Sequence, residues 1–242
     1  LYKVVNGNLL YHGCVPFDEN GEYASVELPS GVYSGKAYFD ECERIVRSAY
    51  GDHIAGKINQ QDLDFFWYLW CGRLSPLFGR EKIATFERVY LPKEYGVEKK
   101  NPCYEYTERK EYCEKILADF GVIGEQTHII NGHVPVKTKD GETPIKAEGK
   151  LLVIDGGFCR AYQRTTGIAG YTLIYNSYGL RLSAHAPFGT KEEAIAKCID
   201  IHSNVVVFEH TSRRLTVGDT DMGKEIKAKI ADLKALLYSG LL

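Results

Sequence analysis

Tyr11-His12-Gly13-Cys14-Val15-Pro16 and Asn131-Gly132-His133-Val134-Pro135-Val136-Lys137 are the stretches from which the fold of this chain is read. In each, a histidine adjoins a glycine directly after an apolar run, Leu9-Leu10-Tyr11 in the first and His128-Ile129-Ile130 in the second. Runs this short, bounded by turn residues, read as buried strands. The glycine bares the backbone beside each imidazole, so a metal ion or a phosphate can approach a histidine presented at a sheet corner. One such histidine alone is equally well a hydrogen-bonded structural residue at a strand end. Two in the same local context point to a shared site.

Around these corners the pattern alternates between helix and strand. A polar, glycine-rich loop over 17–35 precedes a helix expected at 36–49, which carries Phe39, Cys42, Ile45, Val46 and Ala49 on one side. A second helix starts at Asp62 as its N-cap, runs through Phe65-Phe66-Trp67-Tyr68-Leu69-Trp70-Cys71 as a core segment and stops at Gly72. Residues 81–90 are ambiguous between helix and strand. Thr107 caps a helix over 108–120 that Gly121 ends. Strands are expected at 127–130, 151–154, 172–176, 180–184 and 205–209, with glycine-rich loops between the second and third. The last helix, 222–238, aligns Ile226, Ile230, Leu233 and Leu237 in a stripe that should pack on a neighbour.

Composition narrows the function. The 242 residues are 44% hydrophobic, enough for a sizeable core. Lysine and arginine number 30 against 32 aspartates and glutamates, giving a net charge of -2 and a pI near 6.4. No general basic face results, which argues against a nucleic-acid partner. No apolar run approaches the roughly 18 residues of a bilayer span, so the chain reads as soluble. The seven cysteines are odd in number, scattered and without a Cys-x-x-Cys pair. That pattern argues against a disulfide framework or a structural zinc site and favours a reducing cytoplasm. The chain opens in mid-strand without methionine, as a piece of something longer would.

Six segments occur in a fixed order: His12-Gly13-Cys14, Trp70-Cys71-Gly72, Ser75-Pro76-Leu77-Phe78-Gly79, Asn131-Gly132-His133, Ile154-Asp155-Gly156-Gly157-Phe158 and Thr166-Gly167-Ile168-Ala169-Gly170-Tyr171-Thr172-Leu173. In that order the chain resembles, over nearly its whole length, the class III fructose-1,6-bisphosphatases of bacteria. More broadly it is similar to the C-terminal half of the calcineurin-like metallophosphoesterases. The resemblance implies a mixed α/β fold, half of a four-layer sandwich. Residues 1–189 would form the C-terminal part of the phosphoesterase domain, with a helical insertion at about 36–120, and residues 190–242 a helix-strand-helix extension. The implied reaction converts fructose 1,6-bisphosphate to fructose 6-phosphate and phosphate, a step of gluconeogenesis. Two divalent ions, Mn2+ or Mg2+, roughly 4 Å apart would catalyse it. By the family pattern His12 and His133 ligate the same ion. Lys137, Arg160 and Arg73 are candidates for binding the second phosphate, and Tyr162 and Tyr171 for lining the sugar pocket; each is equally a solvated or packed residue. His53, His185, His202 and His210 lack the glycine neighbours and read as structural.

The chain departs from the family in one respect. The Asp-x-His, Gly-Asp-x-x-Asp and Gly-Asn-His motifs that supply the other metal ligands are not found in it. Gly218-Asp219-Thr220-Asp221-Met222-Gly223 is one residue short and follows the second histidine where it should precede it, so Asp219 and Asp221 read as a loop and a helix cap. The chain by itself should therefore neither retain the metals nor hydrolyse a phosphate ester. Its expected partners are a missing N-terminal segment, a sugar bisphosphate and, over open sheet edges, a second copy. Another calcineurin-like enzyme, acting on phosphoprotein or dinucleoside tetraphosphate, and a non-enzymatic half-fold module are the readings that stay open.

Overall fold

The structure, a computed structural model, describes residues 1–187, 189–198 and 203–240; His202 lies outside them. The chain forms two compact units, Leu1–Val136 with Thr143–Asp155 and Lys137–Glu142 with Gly156–Leu242. The architecture is mixed α/β, as the sequence leads one to expect.

The first unit is built on a five-stranded sheet of order β1-β2-β5-β7-β6. Strands β1 (Tyr2–Val5) and β2 (Asn8–Tyr11) form a hairpin whose turn, Asn6-Gly7, has positive φ at both residues, the conformation of the tightest hairpin turns. Strands β5 (His128–Asn131) and β7 (Leu151–Val153) run parallel to β2, with Leu9 opposite Ile129 and Ile129 opposite Leu151. The two-residue β6 (Ile145–Lys146) closes the other edge antiparallel. Buried strands of a parallel sheet read as near-continuous apolar runs. Leu9, Ile129 and Leu152 are fully buried. Buried Lys150 ties the starts of β5 and β7 together: its Nζ donates to the Glu125 carbonyl (2.7 Å), the Thr127 carbonyl (3.3 Å) and Thr127 Oγ1 (3.2 Å).

Between β2 and β5 lie a small hairpin, β3 (Val26–Leu28) with β4 (Gly31–Tyr33), and five helices: α1 (Gly35–Ile54), α2 (Gln60–Cys71), α3 (Thr85–Tyr90), α4 (Cys103–Tyr106) and α5 (Lys110–Asp119). One sheet face is covered by aromatic packing: Tyr2 meets Phe120 at 4.8 Å between centroids, and Tyr11 meets Phe39 of α1 at 6.0 Å. Beyond it, Tyr38, Cys42 and Ile45 of α1 pack on Phe65 and Leu69 of α2. The other face carries Lys3, Leu10 and Ile130 in an open depression of about 450 Å³, with His12 and Gly132 at its border.

The second unit holds α6 (Arg160–Thr166), the antiparallel sheet β10-β9-β8, α7 (Lys191–Lys197) and α8 (Asp221–Tyr238). Its strands are β8 (Gly170–Asn176), β9 (Gly179–His185) and β10 (Ser203–Val207). After residue 189 the described elements are α7, β10, a 3-10 turn at Val217–Asp219 and α8, and β10 pairs with β9. None of the described helices is long and apolar enough to cross a membrane.

Four local expectations are corrected. The cap of α2 is Asn59, whose side chain accepts the Asp62 N–H. Thr107 ends α4, where its Oγ1 donates to the Cys103 carbonyl at 2.7 Å, and does not start α5. Of the aromatic segment only Phe65 and Leu69 are buried; Trp67 and Trp70 are 66% and 60% exposed, because α2 meets α1 on one side alone. The stripe of α8 likewise stays open, with Leu233 66% exposed and Gly223 the one buried residue of the helix.

Two substitutions test this division into covered and open surfaces. Leu152→Ala should cost about 2–5 kcal/mol, read as a lower denaturant midpoint at an unchanged slope. Trp67→Ala should move the midpoint by less than about 0.5 kcal/mol in the same measurement.

Candidate metal centre

Because β2, β5 and β7 are parallel, their C-terminal ends share one edge of the sheet, and the residues that leave it there are His12, Gly132-His133 and Ile154-Asp155. Ligands of open parallel sheets bind beyond such carboxyl ends. His12 Nε2 lies 3.0 Å from His133 Nδ1, with the ring centroids 4.9 Å apart and the planes at 74°. The two corners are also joined through the main chain: the Gly132 N–H donates to the His12 carbonyl at 3.1 Å. Asn131 Nδ2 donates to the Gly13 carbonyl (3.4 Å), while its Oδ1 is buried with no hydrogen-bond donor. His133 has a φ of 65°, a left-handed conformation that non-glycine residues seldom adopt.

A third segment braces the corner. Ser75, fully buried, donates through Oγ to the Leu69 carbonyl and accepts the Leu77 N–H at 3.1 Å, which sets the turn through Gly79. The Cys14 N–H donates to the Pro76 carbonyl at 3.0 Å. A Cβ on Gly13 would lie only 2.4 Å from that same oxygen, so the close approach requires glycine. The main chain of Phe78, in this turn, lies beside the His133 imidazole and favours its protonated form. The order of motifs along the chain is thereby given a spatial reason.

Burial depresses the pKa of His133 below the usual histidine range, and the neighbouring His12 and Arg80 depress it further. The Phe78 main chain and the Asp155 carboxylate oppose the shift. The outcome favours the neutral imidazole, which is the metal-ligating form. Asp155 is the site residue that sequence reasoning left without a role. Its signal is its place after the third parallel strand; its carbonyl accepts the Val136 N–H at 2.7 Å, and its side chain lies beside Gly132.

Two nitrogens bound cis to one ion at about 2.1 Å lie roughly 3.0 Å apart. The histidine pair has that separation, so it fits one edge of a coordination shell. Among the described residues no three His, Cys, Asp or Glu side chains converge as a metal-binding group. Hard ions such as Mg2+ and Mn2+ favour oxygen ligands, which a pair of imidazoles does not offer.

The remaining site expectations fare differently. Arg73, in the first unit, is 71% exposed and lies 3.4 Å from Glu81. In the second unit Lys137 is exposed, 3.9 Å from Asp140, and Arg160 opens α6 with its side chain in solvent. Tyr162 is 56% exposed. Tyr171 is buried, and its hydroxyl is enclosed without a hydrogen-bond partner. His185 bridges Thr172 Oγ1 (2.7 Å) and Ser203 Oγ (2.8 Å), and His210 stacks on Tyr178. The Asp219 carboxylate closes a capping box with Thr216 and pairs with Arg213 at 2.7 Å, which holds its pKa well below the carboxylate range.

Two outcomes are expected. Gly13→Ala should cost about 1–3 kcal/mol in thermal unfolding, because the Pro76 carbonyl must give way. In metal-free protein the depressed His133 pKa adds stability that is complete above the unfolded value of about 6.5 and is lost as pH falls toward the folded value. His133→Gln should therefore flatten the pH dependence of the denaturant midpoint between neutral and mildly acidic pH; an unchanged dependence contradicts a burial-depressed imidazole at this position.

Sequence comparison adds to this geometry. Residues 1–239 match the profile of the Firmicute fructose-1,6-bisphosphatase family. The chain is 50% identical over 238 residues to a class 3 fructose-1,6-bisphosphatase of Fusobacterium nucleatum, covering 98% of this chain and 37% of the relative. Against the class 3 fructose-1,6-bisphosphatases of Clostridium acetobutylicum and Clostridium botulinum it is 51% identical over 240 residues, covering 99% of this chain and 36% of each relative. The chain thus spans a little over a third of the length of the curated relatives it matches. No solved structure matches it. The chain belongs to the Firmicute fructose-1,6-bisphosphatase family.

Proposed function

We propose that this chain is the part of a fructose-1,6-bisphosphatase that brings His12 and His133 to one ion of a two-metal centre, the enzyme hydrolysing fructose 1,6-bisphosphate to fructose 6-phosphate and phosphate. The observation that carries the reading is the 3.0 Å approach of two imidazoles from adjacent parallel strands, in a chain about half identical to proteins named for that activity. A divalent ion held there, Mn2+ or Mg2+, supplies Lewis acidity toward phosphoryl oxygens and lowers the pKa of water. His12 offers Nε2 and His133 offers Nδ1, the atoms that face each other. The main chain of Phe78 lies beside the His133 ring, where outer partners of metal-bound histidines commonly stand. Asp155 adds negative charge on the same side and steadies the local positive potential.

The oxygen ligands in this reading come from chain outside the 242 residues, in the manner of a calcineurin-like sandwich of which this sheet is half. The open depression over Leu10 and Ile130, next to His12, suits such a covering segment, since a parallel sheet is stable only with both faces covered. Lys137, Arg160 and Tyr162 have solvent-facing side chains that suit contact with a sugar bisphosphate.

Phosphate release and metal binding test the proposal together. The 242-residue chain alone should release no phosphate from fructose 1,6-bisphosphate, and Mn2+ titrated into it should bind weakly and lose that binding on His12→Ala. In the full-length protein, His133→Ala should lower kcat/KM by about 100-fold or more. Full activity of that variant would remove the histidine pair from the mechanism.

A further inference from the structure

Helix α2 is apolar on two opposite sides. Phe65 and Leu69 pack toward α1, while Leu63, Phe66, Trp67 and Trp70 stand 37%, 43%, 66% and 60% exposed. Their spacing of i, i+3, i+4 and i+7 puts these four on one stripe. Trp67 and Trp70 meet edge to face with centroids 4.8 Å apart, and they are the two tryptophans of the chain. Apolar residues scattered singly over a surface are ordinary, whereas a contiguous patch of several hundred Å² marks an interaction site. At about 150–250 Å² for each wholly exposed aromatic side chain, the stripe offers roughly 300–400 Å² from one helix.

The stripe is its own complement. Its spacing reads the same from either end, so a two-fold axis passing between Phe66 and Trp67 lays α2 antiparallel on the α2 of a second copy. Leu63 then meets Trp70 of the second copy, and Phe66 meets Trp67 of the second copy, the self-match that an isologous contact requires. Charge selects the same direction. Within residues 60–73 the charged side chains are Asp62, Asp64 and Arg73, so carboxylates mark the start of the helix and a guanidinium follows its end. Antiparallel pairing brings Arg73 of each copy toward Asp64 of the other, whereas parallel pairing sets like charge on like. Both groups are free to turn. Arg73 is 71% exposed and 3.4 Å from Glu81, which is itself 40% exposed, and such pairs contribute little. Exposed Asp64 accepts an amide N–H of Gln60 at 2.8 Å.

We infer that α2 is a contact between two copies of this chain, paired antiparallel through Leu63, Phe66, Trp67 and Trp70 with Arg73 of each against Asp64 of the other. The occupant is a second copy because the surface matches itself in both shape and charge. Polypeptide laid over the Leu10–Ile130 depression leaves this stripe open, since the depression is on the sheet face away from α1 and α2 lies beyond α1. Two stripes together bury roughly 600–800 Å², and the flanking polar residues bring the contact toward the ~1,000 Å² at which specific interfaces begin. The dimer is therefore reversible and set by concentration, with the two tryptophans as its anchors. Nothing in this depends on the chemistry of the histidine pair.

Sedimentation velocity of the full-length protein over a concentration series tests the pairing. The unaltered protein should double in mass as concentration rises, and Trp67→Glu should raise the dissociation constant about 30-fold or more. Arg73→Glu and Asp64→Lys should each weaken the dimer, and the two changes combined should restore it, because both ends of the contact reverse sign together. This rescue keeps the test decisive if Trp67→Glu fails to fold. In the 242-residue chain, tryptophan emission should move to shorter wavelength over the concentration range in which the mass doubles. The Trp67→Ala midpoint given above refers to the dissociated chain, below that range. A single copy of the full-length protein at every concentration, or a dimer indifferent to Trp67→Glu and to the charge reversals, overturns the contact. Weakening by both charge reversals without rescue overturns the antiparallel pairing, and association without a change in tryptophan emission places the contact elsewhere.

Discussion

Parallel pairing of β2 with β5 is the constraint on which the rest of the first unit depends. A parallel ladder fixes direction as well as register, so the residues following Tyr11 and Asn131 emerge together. Had these strands been antiparallel, His12 and His133 would leave opposite ends of the sheet. The same rule applied to β7 adds Asp155 to the group. Nothing in the intervening helices is needed to place the histidines; the helices cover one face and, through the Ser75–Gly79 turn, brace the corner from the side.

That bracing explains the glycine after His12. Gly13 allows the Pro76 carbonyl to approach the backbone as no other residue would, whereas a Cβ at Gly132 would make only ordinary contact with Asp155. His133 itself is held in a left-handed conformation, a cost of order 1–3 kcal/mol that surrounding contacts must offset. The contacts are identifiable: the main chain of Phe78, the His12 imidazole and the short hydrogen-bonded loop from Gly132 to Val134.

Much of this can be read from the residues alone. The apolar runs before each histidine give the strands, and the motif order gives the family to which the chain belongs. Helix 36–49 is legible from its spacing, though α1 runs on to Ile54. Other features escape for physical reasons. The β3–β4 hairpin lies inside the stretch read as a loop over 17–35, because strands of three residues are too short for an alternation to show. Helix α6 sits between glycine-rich turns that mask its seven residues. The open surfaces of α2 and α8 are misread because periodicity reports that a face is apolar, not that a neighbour covers it. Asp155 is visible as an aspartate after a strand, yet its role depends on strand order, which no local pattern encodes.

The long excursion between the paired strands also bears on how the molecule is made. While a ribosome extends the chain, β2 must wait for β5, from Leu9 to Ile129, which at ordinary synthesis speeds is on the order of ten seconds. During that interval the β1–β2 hairpin has an unpaired edge, and a lone hairpin is barely stable in water. The intervening helices, rich in local contacts, form well within that time. They offer Phe39 and Phe120 as a surface on which Tyr2 and Tyr11 can rest. The helical excursion thus serves the nascent strand as a built-in holdfast until its proper neighbour emerges.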